Sequence, residues 1–231
     1  LPDWAARVRE RSRWSGFSLD EEKREQRLRE WLALYYGEVK LIDDCVGRLL
    51  DTLEEQGVLD DTIIVFTSDH GEYGGEHGLM AKNQLYETAY RVPMIVRWPG
   101  QVPAGTAVEN VVSTVDFQPT LLALMGLEPS GREQGRDAST LLRGEQAAWD
   151  DEAYIHHSSL ERAGIFTPHW ELAYVKDADP ILFDRQNDPD QTENLFGQEE
   201  LAEVVEELTQ RIVQHHRQVQ SPALEWLEEI A

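Results

Sequence analysis

A chain of 231 residues with 41% hydrophobic residues is long enough for one sizeable core, or a core plus a small satellite domain. Its 21 basic and 44 acidic residues leave a net charge of −23, which repels polyanions and so excludes nucleic acid and an anionic membrane surface as partners. No apolar run reaches the ~18 residues of a membrane helix, and the Arg-rich start has no apolar stretch behind it, so no secretion signal is visible and a cytoplasmic location is favoured.

Ser18-Leu19-Asp20-Glu21 has the form of a capping box, and Leu28, Trp31, Leu32, Tyr35, Val39, Ile42, Val46, Leu49 and Leu53 follow at three- and four-residue steps. This spacing predicts one long amphipathic helix ended by Gly57. After Asp60-Asp61, the β-branched and aromatic run Thr62–Thr67 reads as a strand buried on both faces, and a helix feeding such a strand implies an α/β layered sheet. A second buried strand is expected over Val92–Trp98, with Pro93 near its start and Pro99-Gly100 closing it. Asp116 opens a short helix ending at Gly126, with Pro119 in its permissive first turn. Residues 128–150 read as a connecting loop with at most one helical turn. Ala153–His157, Trp170–Lys176 and Ile181–Asp184 then predict a small antiparallel sheet. A charged helix over Gln198–Arg217 and a short one begun by Pro222 close the chain. The division expected is 1–150 and 151–231.

Chemistry concentrates where the first strand ends. Asp69-His70-Gly71 lies at the C-terminal end of that strand, where open α/β sheets place ligands. A carboxylate oxygen and an imidazole nitrogen can share one cation there, and Gly71 lets the chain turn. The tripeptide alone reads equally as a glycine turn with a buried Asp capping the loop. Its continuation, Glu72 through Leu79, is polar and glycine-rich. It carries His77 and leads to Lys82, one of only four lysines, whose ammonium can bind sulfate or phosphate if it is not simply a surface charge.

Together with Tyr36-Gly37-Glu38-Val39, Ile42-Asp43 and Val46-Gly47, the run Thr62 to Glu72 resembles the second half of a sulfatase of the alkaline phosphatase superfamily. The resemblance continues through Gly75-Glu76-His77-Gly78, Lys82, Glu87, Arg91-Val92-Pro93-Met94 and Asp116 to Thr120, and returns at Leu182-Phe183-Asp184 and Glu193-Asn194-Leu195. It implies an alkaline phosphatase-like α/β/α sandwich lacking its N-terminal half, with a small C-terminal antiparallel sheet plus helix. It also implies a divalent-metal site, usually calcium, with Asp69 and His70 as two ligands. Calcium prefers oxygen donors, so the His ligand rests on the family pattern. Lys82 falls at the family's sulfate-binding lysine, and His77 lies in the loop for a substrate contact. The substrate implied is a small-molecule or carbohydrate sulfate ester, or in a variant of the same superfamily a phosphonate or phosphodiester.

The family's nucleophile is a formylglycine made within a C/S-x-P-x-R motif, and this sequence has no such motif. Cys45 is followed by Gly47 and Leu49 where Pro and Arg are required, and Ser139 with Arg143 has Leu141 in place of Pro. The family's first two metal-binding carboxylates also lie upstream of the long helix. An incomplete site is therefore expected, completed by an N-terminal segment or a second chain, and an opening of Leu1-Pro2-Asp3 without Met reads as a cut edge. An inert remnant is the competing expectation. His156-His157 and His215-His216 lack a third donor at ligand spacing, and His169-Trp170 reads as packing more readily than as the rim of a site. The acid excess with scarce lysine fits either a salt-adapted surface or a merely well-solvated one.

Overall fold

The computed structural model describes residues 21–82, 84–156 and 159–230, so Ser18 of the capping box and His157 lie outside the described residues. The chain divides into two compact units, one running to Ala104 and the other from Gly105.

The first unit is built on helix α1, Glu21–Glu55, 35 residues long. It ends in a Schellman arrangement: Gly57 takes φ +70° and the Val58 N–H reaches back to the Leu53 carbonyl at 3.0 Å. Strand β1, Ile64–Thr67, pairs antiparallel with β2, Met94–Arg97, so that Ile64 faces Arg97 and Thr67 faces Met94. Arg97 secures the base of this ribbon by donating to the Leu59 carbonyl at 2.9 Å and the Asp60 carboxylate at 2.6 Å.

Neither the expected two-sided burial of β1 nor the expected burial of β2 is what the unit shows. Phe66 is 39% exposed and Ile95 62%, because a two-stranded ribbon has no further strand beside it among the described residues. On α1, likewise, Leu28, Trp31, Leu32, Val46 and Leu53 are half-buried, while Tyr35, Val39, Ile42 and Leu49 of the same periodic set are exposed. A single-turn helix α2, Glu87–Tyr90, precedes β2.

The second unit begins with a helical turn, Thr114–Asp116, closed by a Ser113–Asp116 capping box and continuing into α3, Phe117–Leu124. Asp116 is only 1% exposed and pairs with Arg136, whose guanidinium also lies 4.0 Å over the Trp149 ring. The loop that follows holds one helical turn, α4, Ser139–Leu142. Four strands then form a meander in chain order: β3 Ala153–His156, β4 Arg162–Phe166, β5 Trp170–Val175 and β6 Ile181–Asp184. Helix α5, Ala202–Gln218, packs on this sheet with the short α6, Leu224–Leu227. Between them Ile165, Leu172, Leu182, Leu208, Ile212 and Leu227 form the core.

Within that core lies an imidazole. His216 is fully buried and neither ring nitrogen has a hydrogen-bond partner among the described residues. Its ring is 6.0 Å from that of His156 and 5.7 Å from that of His215, which stacks on Tyr154 at 3.9 Å. Burial, then the charges of His215 and His156, push the His216 pKa down to about 4. No described helix is long and apolar enough to cross a membrane.

Candidate active site

Strand β1 delivers Asp69 and His70 two and three residues beyond its last residue, and the turn that follows is forced by close packing. A Cβ on Gly71 would sit 1.8 Å from the Thr88 carbonyl oxygen, while the Gly71 N–H donates to the Ala89 carbonyl at 2.9 Å. Only glycine lets α2 approach so closely, so helix position and turn are set by one residue.

Asp69 is not the buried, loop-capping carboxylate of the alternative reading, since its side chain is 83% exposed. One oxygen accepts the His70 backbone N–H at 3.0 Å, and the other stands 3.4 Å from His70 Nε2. Desolvation raises its pKa, but electrostatic attraction to His70 and the local hydrogen bonds outweigh that and hold it below the usual carboxylate value. His70 Nδ1 lies 2.8 Å from the Gly71 carbonyl and so carries the proton, leaving Nε2 as an acceptor. Lys82 Nζ occupies that acceptor at 2.7 Å. Three of the residues singled out in the sequence, Asp69, His70 and Lys82, thus converge.

His77 is placed differently. It adopts φ 54°, in the left-handed region, and stacks on Tyr86 with ring centroids 3.9 Å apart. His169 stacks on Trp170 at 4.2 Å and lies 3.3 Å from Asp184, as a packing residue does. Cys45 is exposed on α1.

The donor set fits a divalent cation in part. Two ligands at adjacent corners of a calcium shell, each about 2.4 Å from the ion, lie about 3.4 Å apart, which is the Asp69–His70 spacing observed. Among the described residues no group of three or more His, Cys, Asp or Glu side chains could hold a metal, so the pair has no third such ligand there.

The loop between Gly71 and Lys82 is held by contacts that sequence reasoning did not pick out. Tyr73, buried, donates its hydroxyl to the Gln84 carbonyl at 2.7 Å and accepts the Gln84 N–H at 2.9 Å. Glu72 accepts the backbone N–H of Ala81 at 2.5 Å and of Gly74 at 3.3 Å. An aromatic residue inside a polar, glycine-rich loop was the only signal available for the first of these.

The family profile described as Sulfatase matches residues 9–127, and that described as N-sulphoglucosamine sulphohydrolase, C-terminal, matches residues 75–218. The chain is 36% identical over 208 residues to an N-acetylglucosamine-6-O-sulfatase of Bacteroides thetaiotaomicron, covering 85% of this chain and 37% of that protein. A solved structure titled as a complex with its substrate D-glucosamine-2-N,6-O-disulfate superposes with a TM-score of 0.75 at 33% identity, over 80% of this chain and 40% of that one. The phosphonate monoester hydrolase of Agrobacterium radiobacter superposes with a TM-score of 0.74 at 28% identity, over 83% of this chain and 42% of that one. The chain spans about two fifths of the length of the curated relatives it matches. Its fold is accordingly part of an alkaline phosphatase-like α/β domain.

Proposed function

Because the chain belongs to the sulfatase family, we propose that it supplies the cation- and anion-binding side of a sulfuric-ester hydrolase whose nucleophile comes from elsewhere. The observation that carries this reading is the convergence of Asp69, His70 and Lys82 at the end of β1. Asp69 and His70 would hold a divalent cation, calcium by the family pattern, once Lys82 Nζ has withdrawn from His70 Nε2 and freed its lone pair. When bound, that cation would polarise the sulfate oxygens and offset charge developing on them. Lys82 contributes a fixed positive charge for the same anion, and His77 a further contact from the neighbouring loop. Residues 1–150 would then continue a catalytic domain, with 151–231 as its small C-terminal subdomain.

A carbohydrate sulfate ester is the substrate class proposed, supported by the sulfated glucosamine named for one relative's complex. Formylglycine, the family's nucleophile, would have to come from the completing segment or chain, as no C/S-x-P-x-R motif is present in this sequence. The exposed apolar residues of α1 and of the β1–β2 ribbon support a covering N-terminal segment or second chain that brings the nucleophile. A phosphonate or phosphodiester hydrolase is the second reading, favoured by the Agrobacterium neighbour. Turnover of an aryl sulfate against a phosphonate monoester by the completed enzyme would separate the two.

The purified chain should neither hydrolyse p-nitrophenyl sulfate nor bind calcium tightly by calorimetry, because two ligands leave most of a six- to eight-oxygen shell unfilled. Turnover by this chain alone, abolished by Asp69→Ala, would overturn the proposal that the nucleophile is supplied from outside.

A further inference from the structure

Lys82 leaves the loop from an unfavourable backbone position. Ala81 has φ +65°, in the left-handed region that costs a residue with a Cβ about 1 kcal/mol, so without restraint it would relax and redirect Lys82. Both polar groups of Ala81 are restrained. Its N–H is taken by the Glu72 carboxylate at 2.5 Å and its carbonyl accepts the Tyr73 N–H at 3.0 Å. On the far side of Lys82, the Tyr73 hydroxyl closes on both backbone polar groups of Gln84.

We propose that Glu72 and Tyr73 are positioning residues for Lys82: their side chains hold Ala81 left-handed and Gln84 in place, and so keep the ammonium beside the His70 ring. The inference rests on the reading of Lys82 as the anion contact only for its functional meaning. Its geometry stands without that reading. The hydrogen bond from Ala81 to a charged carboxylate is of the stronger class, so its loss is worth about tenfold in how often Lys82 occupies its place. Gly75, at φ +101°, permits the loop's turn, and its Cα faces Leu28 of α1 closely enough that an added Cβ would meet that side chain at 2.9 Å. The loop is thus anchored to the helix at one end and by Glu72 and Tyr73 at the other.

With only four lysines in the chain, selective 13C labelling yields four ε-methylene signals, and Lys82→Arg assigns the one sought. Beside the His70 ring this signal should be displaced by ring current. In Glu72→Met, which keeps the length of the side chain without an acceptor oxygen, and in Tyr73→Phe it should collapse toward the ordinary lysine position while the chain still melts cooperatively. The double variant Glu72→Met/Ala81→Gly should recover the displacement, because glycine takes the left-handed conformation at no steric cost. A displacement unchanged in both single variants would overturn the proposal. If Glu72→Met unfolds, Tyr73→Phe decides alone, since it keeps the buried ring and removes only the hydroxyl. A parallel titration with sodium sulfate at constant ionic strength tests the functional reading separately. A Lys82 signal that sulfate does not move would count against the anion role and leave the positioning result standing.

Discussion

Replacing His216 should change the acid stability of the second unit in a way that follows from its burial. The unfolded imidazole protonates near 6.5, whereas the folded one resists protonation to about 4. Between those values the unfolded state binds more protons, so stability is complete above about pH 7 and falls as pH drops through that window. At about 1.4 kcal/mol per unit, the loss attributable to His216 approaches 3 kcal/mol at pH 4 and is then constant. The charged or titratable neighbours that face it are His215 on α5 and His156 on β3. Glu152, which precedes β3, acts on His215. His216→Leu keeps the volume apolar and removes only the titrating group. Urea unfolding of both proteins at intervals from pH 7.5 to 4.5 should give a wild-type curve that falls by about 2.5 kcal/mol more than that of the variant. The common acid effect on carboxylates cancels in the difference. Parallel profiles would refute the reasoning, since a solvated or hydrogen-bonded His216 has no reason to resist protonation.

Asp116→Ala should destabilise the second unit by about 3 kcal/mol in urea, because it strips Arg136 and the Ser113 N–H of their acceptor; a loss under about 1 kcal/mol would contradict the pairing. Gly71→Ala should cost about 3 kcal/mol or more and speed exchange of the residue-71 amide, since its Cβ cannot coexist with the Thr88 carbonyl. A melting temperature that climbs toward molar KCl is expected of a surface at net charge −23, and one indifferent to KCl would remove the case for salt adaptation.

What could be read from the sequence tracks how local each determinant is. Periodicity, Gly57 and Gly126 marked α1 and α3 closely, and the strand expected over Val92–Trp98 is β2, which starts one residue after Pro93 and not around it. Strand β4 was missed because Arg162 and Gly164 dilute its apolar pattern. Its glycine serves a contact invisible in one dimension, where an added Cβ would meet Ala173 Cβ and the Leu172 carbonyl oxygen at 3.0 Å. Asp69, His70 and Lys82 were legible as residue types beside a strand end. The roles of Glu72 and Tyr73 were not, since they bind backbone atoms nine to eleven residues away. The burial of His216 was not legible, because a histidine pair on a charged helix looks solvent-facing until the sheet beneath it is placed.

The meander order of β3 to β6 also bears on how the chain folds. Each strand pairs only with its neighbours in sequence, so the sheet can grow by successive hairpin closures, each on the order of microseconds, without waiting for a distant partner. The slow event is then the arrival of α5, whose Ile212 must find a sheet that was completed about thirty residues earlier. Truncating Ile212 should therefore lower the folding rate of this unit, while truncating side chains in the β3–β4 turn leaves that rate nearly untouched.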